Sequence, residues 1–230
     1  MTRKQLLESQ DGWTVTARSG RKVDRGFLEN VFTLGNENML TRGTCPELGH
    51  PEWNRPAHVV VSPPDENKEP TGPQRRTVPG PDWTPFDFHD GLQALSAGDG
   101  RQRRVHLSLE MRTGTLSRTF RFVGGDGRRT EFSIVRLVSL DEPDLAWERF
   151  IITPLNYSGS VWLSARLDSR PSSGWLEFHS TRSEVLDQSG QVAVALQVQA
   201  VPDGHKVGVA MLLIAEKDRT IGQRLDNGVG

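Results

Sequence analysis

Acid–base, nucleophilic and metal chemistry each need particular side chains at particular spacings, and few candidates in this chain have them. Two-carboxylate hydrolysis requires acids held roughly 5 to 9.5 Å apart, one of them with a raised pKa. Glu47 and Glu52 flank a plausible turn, but nothing in the sequence sets them face to face, and solvated loop carboxylates are the better account of them. The six histidines, His50, His58, His89, His106, His179 and His205, show no HxH or HxxxH spacing, and Cys45 has no CxxC partner. Zinc takes three or four ligands at recognisable spacing, so no metal site and no cofactor is expected. There is no GxSxG, and Cys45 has no evident base nearby, so a small buried thiol is expected there. Gly124-Gly125-Asp126-Gly127 is not a phosphate loop, because no helix follows it and the Gly-Lys-Ser/Thr of such loops is missing. Asn156-Tyr157-Ser158 matches a glycosylation sequon that no signal peptide supports. No catalytic residue is assigned.

Asn36 and Arg42 have the strongest claim on function. They lie in ENVFTLGNENMLTRG, residues 29–43, read as an apolar strand running into a polar turn and out again. Val31, Phe32 and Leu34 supply its buried side, Gly35-Asn36 breaks it through positive φ, and Met39 and Leu40 return to the core. Polar groups presented from a rigid strand end commonly border a site. An Asn at positive φ and an Arg tying a loop to backbone carbonyls explain the same residues structurally, and both readings stay open. Arg118 and Arg136 fall in phase with core residues on successive strands. A buried guanidinium must be paired, and Glu110 or Glu148 is the expected partner in an internal ion pair.

The elements that position these residues are strands. Trp13, Val15 and Ala17 alternate with threonines, and residues 58–61 make a short apolar run. Residues 62–81, SPPDENKEPTGPQRRTVPGP, are too rich in Pro, Gly and charge to bury a core, and proline's missing donor argues against sheet pairing. A long exposed loop is expected there, to about residue 82. Beyond it, Val105, Leu107, Leu109 and Met111 alternate with polar residues, as do Leu116, Phe120 and Phe122, then Phe132, Ile134 and Val138. Thr113-Gly114 and Gly124–Gly127 supply the turns. Further strands read over 145–153, 161–167, 175–178, 192–201 and 207–215. Regular short strands with turn signals and no helical periodicity predict an all-β, two-sheet antiparallel β-sandwich with little helix, one domain over 1–230.

Composition narrows the function classes. With 28 basic and 29 acidic side chains there is no field to steer nucleic acid or an anionic membrane. Hydrophobic residues make up 35% and mean hydropathy is −0.51, which places the core in short strands between solvated loops. One cysteine excludes an internal disulfide. No leader-like or membrane-spanning stretch is visible, so a cytoplasmic protein is expected.

The 29–43 stretch resembles the ESLFxLGNGYLGxRG segment of glycoside hydrolase family 65, matching at Glu29, Phe32, Leu34, Gly35, Asn36, Leu40, Arg42 and Gly43 and departing at Glu37, Asn38 and Thr41. PDWTPFDFHDG (81–91) is similar to the family's LPxWLPLxFxIDG, and LEMRTGTLSRTFRF (109–122) to its LDxRxGxLxRxxxW. Residues 127–159, GRRTEFSIVRLVSLDEPDLAWERFIITPLNYSG, resemble a run containing RRFVSLxxxHLxxxxYxVTPxNxSG. The resemblance covers most of 25–170 and implies the family's N-terminal β-sandwich. That family holds disaccharide phosphorylases and trehalose- or maltose-type hydrolases, whose catalytic glutamate lies on an (α/α)6 barrel. The 230 residues hold no helices for such a barrel, so a non-catalytic role is implied: interdomain packing, dimerisation or shaping a carbohydrate site. The implied partners are a helical catalytic domain, in cis or in trans, or a second copy, with carbohydrate as a possible ligand. A stand-alone carbohydrate-binding module and a small independent glycosidase are the alternatives. Asn36, Arg42, Trp53 and Trp162 are then candidates for carbohydrate or interface contact. Trp162 falls on the polar phase of its strand, where a sugar platform and a packing seam are both open. Trp83 is expected to be buried.

Overall fold

The computed structural model describes residues 8–9, 11–18, 25–45, 58–61, 77–95, 101–165, 167, 176–185, 192–200 and 206–214. Alternating apolar residues put most of these into antiparallel strands. Seven short strands come early in the chain: β1 (Glu8–Ser9), β2 (Thr14–Arg18), β3 (Leu34–Gly35), β4 (Met39–Thr41), β5 (His58–Val61), β6 (Thr77–Gly80) and β7 (Phe86–His89). The longer strands follow: β8 (Gln102–Glu110), β9 (Thr115–Val123), β10 (Arg129–Val138), β11 (Ala146–Pro154), β12 (Trp162–Ala165), β13 (Leu176–Val185), β14 (Val192–Ala200) and β15 (Lys206–Leu213). The main layer is a six-stranded sheet in the order β1-β2-β8-β9-β10-β11. A four-stranded sheet β3-β4-β5-β6, a two-stranded ribbon β12-β7 and a three-stranded sheet β13-β14-β15 complete the ladders. The fold is the expected all-β antiparallel sandwich.

The core lies on one face of the six-stranded sheet. Val105, Leu107 and Leu109 of β8, Leu116, Phe120 and Phe122 of β9, and Phe132, Ile134 and Val138 of β10 all turn inward, as period-two alternation requires. Phe32, Leu34, Cys45, Phe86, Phe88 and Leu95 cover them from the opposite side. Six phenylalanines interlock across the gap: Phe120 stacks on Phe132 with centroids 4.6 Å apart, Phe88 meets Phe132 edge-on at 4.8 Å, and Phe86 meets Phe150 at 5.1 Å. Such pairs contribute beyond their burial. Cys45 is buried, as its type suggests.

Several expectations are corrected. Residues 29–31 are not strand but the end of a helix, α1 (Arg25–Val31), and the strand itself is only Leu34–Gly35. Leu28 and Val31 pack on the core from α1; seven residues are too few for a 3.6-residue stripe to stand out from a strand pattern. Neither Gly35 nor Asn36 has positive φ. Gly35 is needed for space, because a Cβ there would strike the Leu40 side chain and lie 2.9 Å from the Met39 carbonyl. The loop expected over 62–81 ends sooner, since Thr77–Gly80 is strand β6, with Pro79 opposite Val59. β6 is the outer strand of its sheet, where a missing proline donor is tolerated. Residues 62–76 lie outside the described residues. Trp83 is half-buried rather than buried.

Candidate functional site

Two polar constellations stand out, and both are built from the segments that cover the six-stranded sheet. The first lies under 41–45. Arg136 of β10 and Glu148 of β11 are directly opposed in the ladder, so the guanidinium reaches its partner without leaving the sheet. Its Nε and Nη2 both donate to Glu148 Oε1, at 3.2 and 2.9 Å, and its Nη1 donates to the Arg42 carbonyl at 3.1 Å. Arg118 Nη1 donates to the Thr44 carbonyl at 2.7 Å, and its Nη2 stands 4.0 Å from the same Glu148 oxygen. Glu148, not Glu110, is therefore the partner of both arginines; Glu110 accepts from the Thr14 hydroxyl and the Arg112 amide. Around them, Arg42 pairs with buried Glu29 at 3.2 Å and donates to Asn30 Oδ1 at 3.0 Å. The Gly43 amide donates to the Glu29 carbonyl, and a Cβ at Gly43 would lie 2.7 Å from the Phe32 carbonyl oxygen. The two ends of the 29–43 stretch are thus tied to each other and to the main sheet.

Asn36 works through its amide. Oδ1 accepts from the Asn38 and Met39 amides at 2.8 and 2.9 Å, and Nδ2 donates to the carbonyls of Ser139 and Pro143. It closes its own turn and holds the β10–β11 hairpin, aided by Asn38 Nδ2 donating to Asp144 Oδ1 at 2.9 Å. Next to this, the Trp83 indole donates to the Thr41 hydroxyl at 3.3 Å, and that hydroxyl lies 3.0 Å from His58 Nδ1. A hydroxyl that accepts from Trp83 can donate to an unprotonated Nδ1, which suits a neutral imidazole. Burial pushes the His58 pKa down to about 4; a hydrogen bond to the Leu40 backbone opposes the shift and the Arg136 charge adds to it.

The second constellation is the β7–β12 ribbon. Trp162 is opposite His89, and Ser164 opposite Asp87. Phe86, Phe88 and Leu163 turn to the core, leaving Trp162, Ser164 and Asp87 exposed with His89 partly so. Trp162 is 57% exposed, as its phase in the strand predicts. The His89 and Trp162 rings meet edge-on with centroids 5.7 Å apart. Asn156, in the sequon, has its amide engaged at both ends, by the Arg129 amide and the Gly127 carbonyl.

The sequence matches the family described as "Glycosyl hydrolase family 65, N-terminal domain" over residues 21–228. The chain belongs to this family. Among curated proteins, an uncharacterized glycosyl hydrolase of Mycobacterium tuberculosis is 22% identical over 233 residues, covering 97% of this chain and 17% of that protein. The kojibiose phosphorylase of Thermoanaerobacter brockii is 24% identical over 162 residues, covering 70% of this chain and 20% of that protein. A solved structure of a provisionally named kojibiose phosphorylase from the human microbiome shares the fold, with a TM-score of 0.63 at 14% identity, over 92% of this chain and 31% of that one. The chain therefore spans less than a third of the relatives it matches.

Within this family 65 domain, the structure gathers Arg42, Arg118, Arg136, Glu29 and Glu148 beneath one segment and places Trp162 on a separate face. Trp53, Glu47, Glu52, His50 and His205 lie outside the described residues, as does the side chain of His179. Among the described residues, no group of three or more His, Cys, Asp or Glu is arranged to hold a metal, and no helix is long and apolar enough to cross a membrane. Sequence reasoning missed His58 and the Asp87, His89, Ser164 set. The alternation of Asp87 and His89 with Phe86 and Phe88 was a usable signal for exposure; the pairing of β7 with β12, more than seventy positions later, was not.

Proposed function

We propose that this chain is the non-catalytic N-terminal β-sandwich of a family 65 glycoside hydrolase or phosphorylase acting on α-linked disaccharides. It supports the carbohydrate active site by packing against a helical catalytic domain. The observation that carries this reading is an apolar strip on the outer face of β11, the edge strand of the main sheet. Trp147, across from Leu137, and Ile151 both face outward on either side of exposed Arg149, with exposed Leu145 and Leu140 continuing the patch into the hairpin. Exposed apolar patches of this kind mark interaction surfaces. Asn36 grips the hairpin that carries Leu140 and Leu145, and Arg42 braces Arg136 through its carbonyl, so both act on the interface by shaping it.

The non-catalytic part of the reading is supported by the fate of the acids. Glu29 and Glu148, both buried, are each ion-paired with arginine inside the fold, out of reach of a substrate. The names of the curated relatives, a glycosyl hydrolase and a kojibiose phosphorylase, support the chemical class of the parent enzyme. A cytoplasmic location belongs to the same proposal. Co-expression with a family 65 catalytic domain as a separate polypeptide tests the packing: the two copurify, and Trp147→Asp with Ile151→Asp separates them. Copurification unaffected by both substitutions overturns the assignment of the strip. The chain alone is expected to turn over no α-linked glucobiose, with or without phosphate; turnover abolished by changing one acid in it would refute the non-catalytic role.

A further inference from the structure

Among the described residues, two tryptophans stand exposed on strands, and their surroundings differ. Trp147 has Leu137 across from it, Leu145 before it and, beyond Arg149, Ile151 along its own strand, a mainly apolar setting. Trp162 has His89 across from it, Ser164 two residues on, and Asp87 across from Ser164. Residues two apart on a strand are separated by roughly 7 Å, so the open face of the ribbon is one indole bordered by an imidazole, a hydroxyl and a carboxylate. An apolar protein surface laid over it would strip water from these polar groups without replacing their hydrogen bonds, which is costly. A pyranose ring replaces them, because it offers a C–H face to the indole and hydroxyls around its rim. We propose that the β7–β12 face binds one pyranose unit of a carbohydrate, stacked on Trp162, with its hydroxyls on Asp87, Ser164 and His89.

The face is pre-organised. The Gly91 amide donates to His89 Nδ1 at 2.9 Å, so the ring proton stays on Nε2 as a donor. Gly91 has φ +94°, and a Cβ there would lie 3.7 Å from the Trp162 ring and from Arg128 Nη1. Beneath it, Asp90 Oδ1 accepts from the Leu92 and Gln93 amides, and Arg128 Nη1 donates to the Asp90 carbonyl at 2.8 Å while lying over the Tyr157 ring at 5.0 Å. Ordering has been completed before a ligand arrives, which reduces what binding must offset. This inference goes beyond the packing role and stands on a different face.

The test titrates the 230-residue chain with maltose, kojibiose and trehalose, read by tryptophan fluorescence and calorimetry to about 50 mM, with sorbitol as a polyol lacking a ring. Saturable binding in the millimolar range is expected for at least one disaccharide. Trp162→Ala weakens it by about tenfold or more, a loss the size of one aromatic contact. Trp162→Phe retains most of it, Asp87→Ala weakens it, and Trp147→Ala leaves it unchanged, with the thermal midpoint of each Trp162 variant near that of the parent. No saturable signal with any of the three sugars, equal binding of sorbitol, or binding that survives Trp162→Ala overturns the proposal. So does self-association that Trp162→Ala abolishes while the sugars stay silent, because the face would then belong to a second copy.

Discussion

At the scale of single residues, the buried polar groups are chosen for the charge state their surroundings impose. His58 is the clearest case. Its folded pKa of about 4 lies below the ordinary 6.5, so between these values the unfolded chain binds a proton that the folded chain refuses. Stability therefore rises with pH across that window: the contribution is complete above about pH 6.5 and is lost as pH falls toward 4. The full span is worth about 3 kcal/mol as an upper order of magnitude. Urea midpoints measured from pH 4 to 7 are expected to climb, and His58→Gln to flatten that climb; an identical slope in the variant would mean that other groups set it. For the two candidates taken from the 29–43 stretch, Asn36 and Arg42, the turn was legible in the sequence but most of their contacts were not. The Arg42 side chain finds Glu29 and Asn30 nearby in sequence, but the Asn36 partners Ser139 and Pro143, and the Arg136 that donates to the Arg42 carbonyl, lie about a hundred residues away, beyond any local pattern.

At the scale of elements, the 29–43 stretch behaves as a clamp rather than as a strand. A short helix, a two-residue strand and a turn bring Arg42 back onto Glu29 and extend Asn36 to the β10–β11 hairpin. Asn36→Ala removes an amide that serves four backbone groups, and leaving such groups unpaired costs about 1–3 kcal/mol. The expected signature is a loss of that size in the unfolding free energy, with faster amide exchange concentrated in residues 139–145. Exchange raised uniformly along the chain, or not at all, would show that the hairpin does not depend on this clamp. The strands of the main sheet were readable because each buries one face and shows period-two alternation. α1, β3 and β6 were not, because elements of seven, two and four residues give a period too few repeats, and Pro79 is admitted only because β6 lies at an edge.

For the whole molecule, the two layers are joined by apolar interlock and by the Arg118 and Arg136 guanidinium groups, which reach from the main sheet to backbone carbonyls of the covering segment. Glu148 neutralises both Arg118 and Arg136, which also hold the carbonyls of Thr44 and Arg42. Glu148→Ala strands two buried guanidinium groups, and removing one partner of a buried pair costs about 3–5 kcal/mol. A correspondingly lower urea midpoint is expected, with the layers still unfolding together; a change below about 1 kcal/mol would mean that water reaches the arginines. What the amino-acid sequence settled by itself was the class of the fold and the family of the domain, since both are written in local alternation, turn residues and ordered motifs. Which glutamate meets the arginines, what Asn36 holds and which face Trp162 shares with His89 and Asp87 were decided only in three dimensions. Those contacts join positions from 12 to more than a hundred residues apart, and antiparallel register, not sequence spacing, sets which side chains meet.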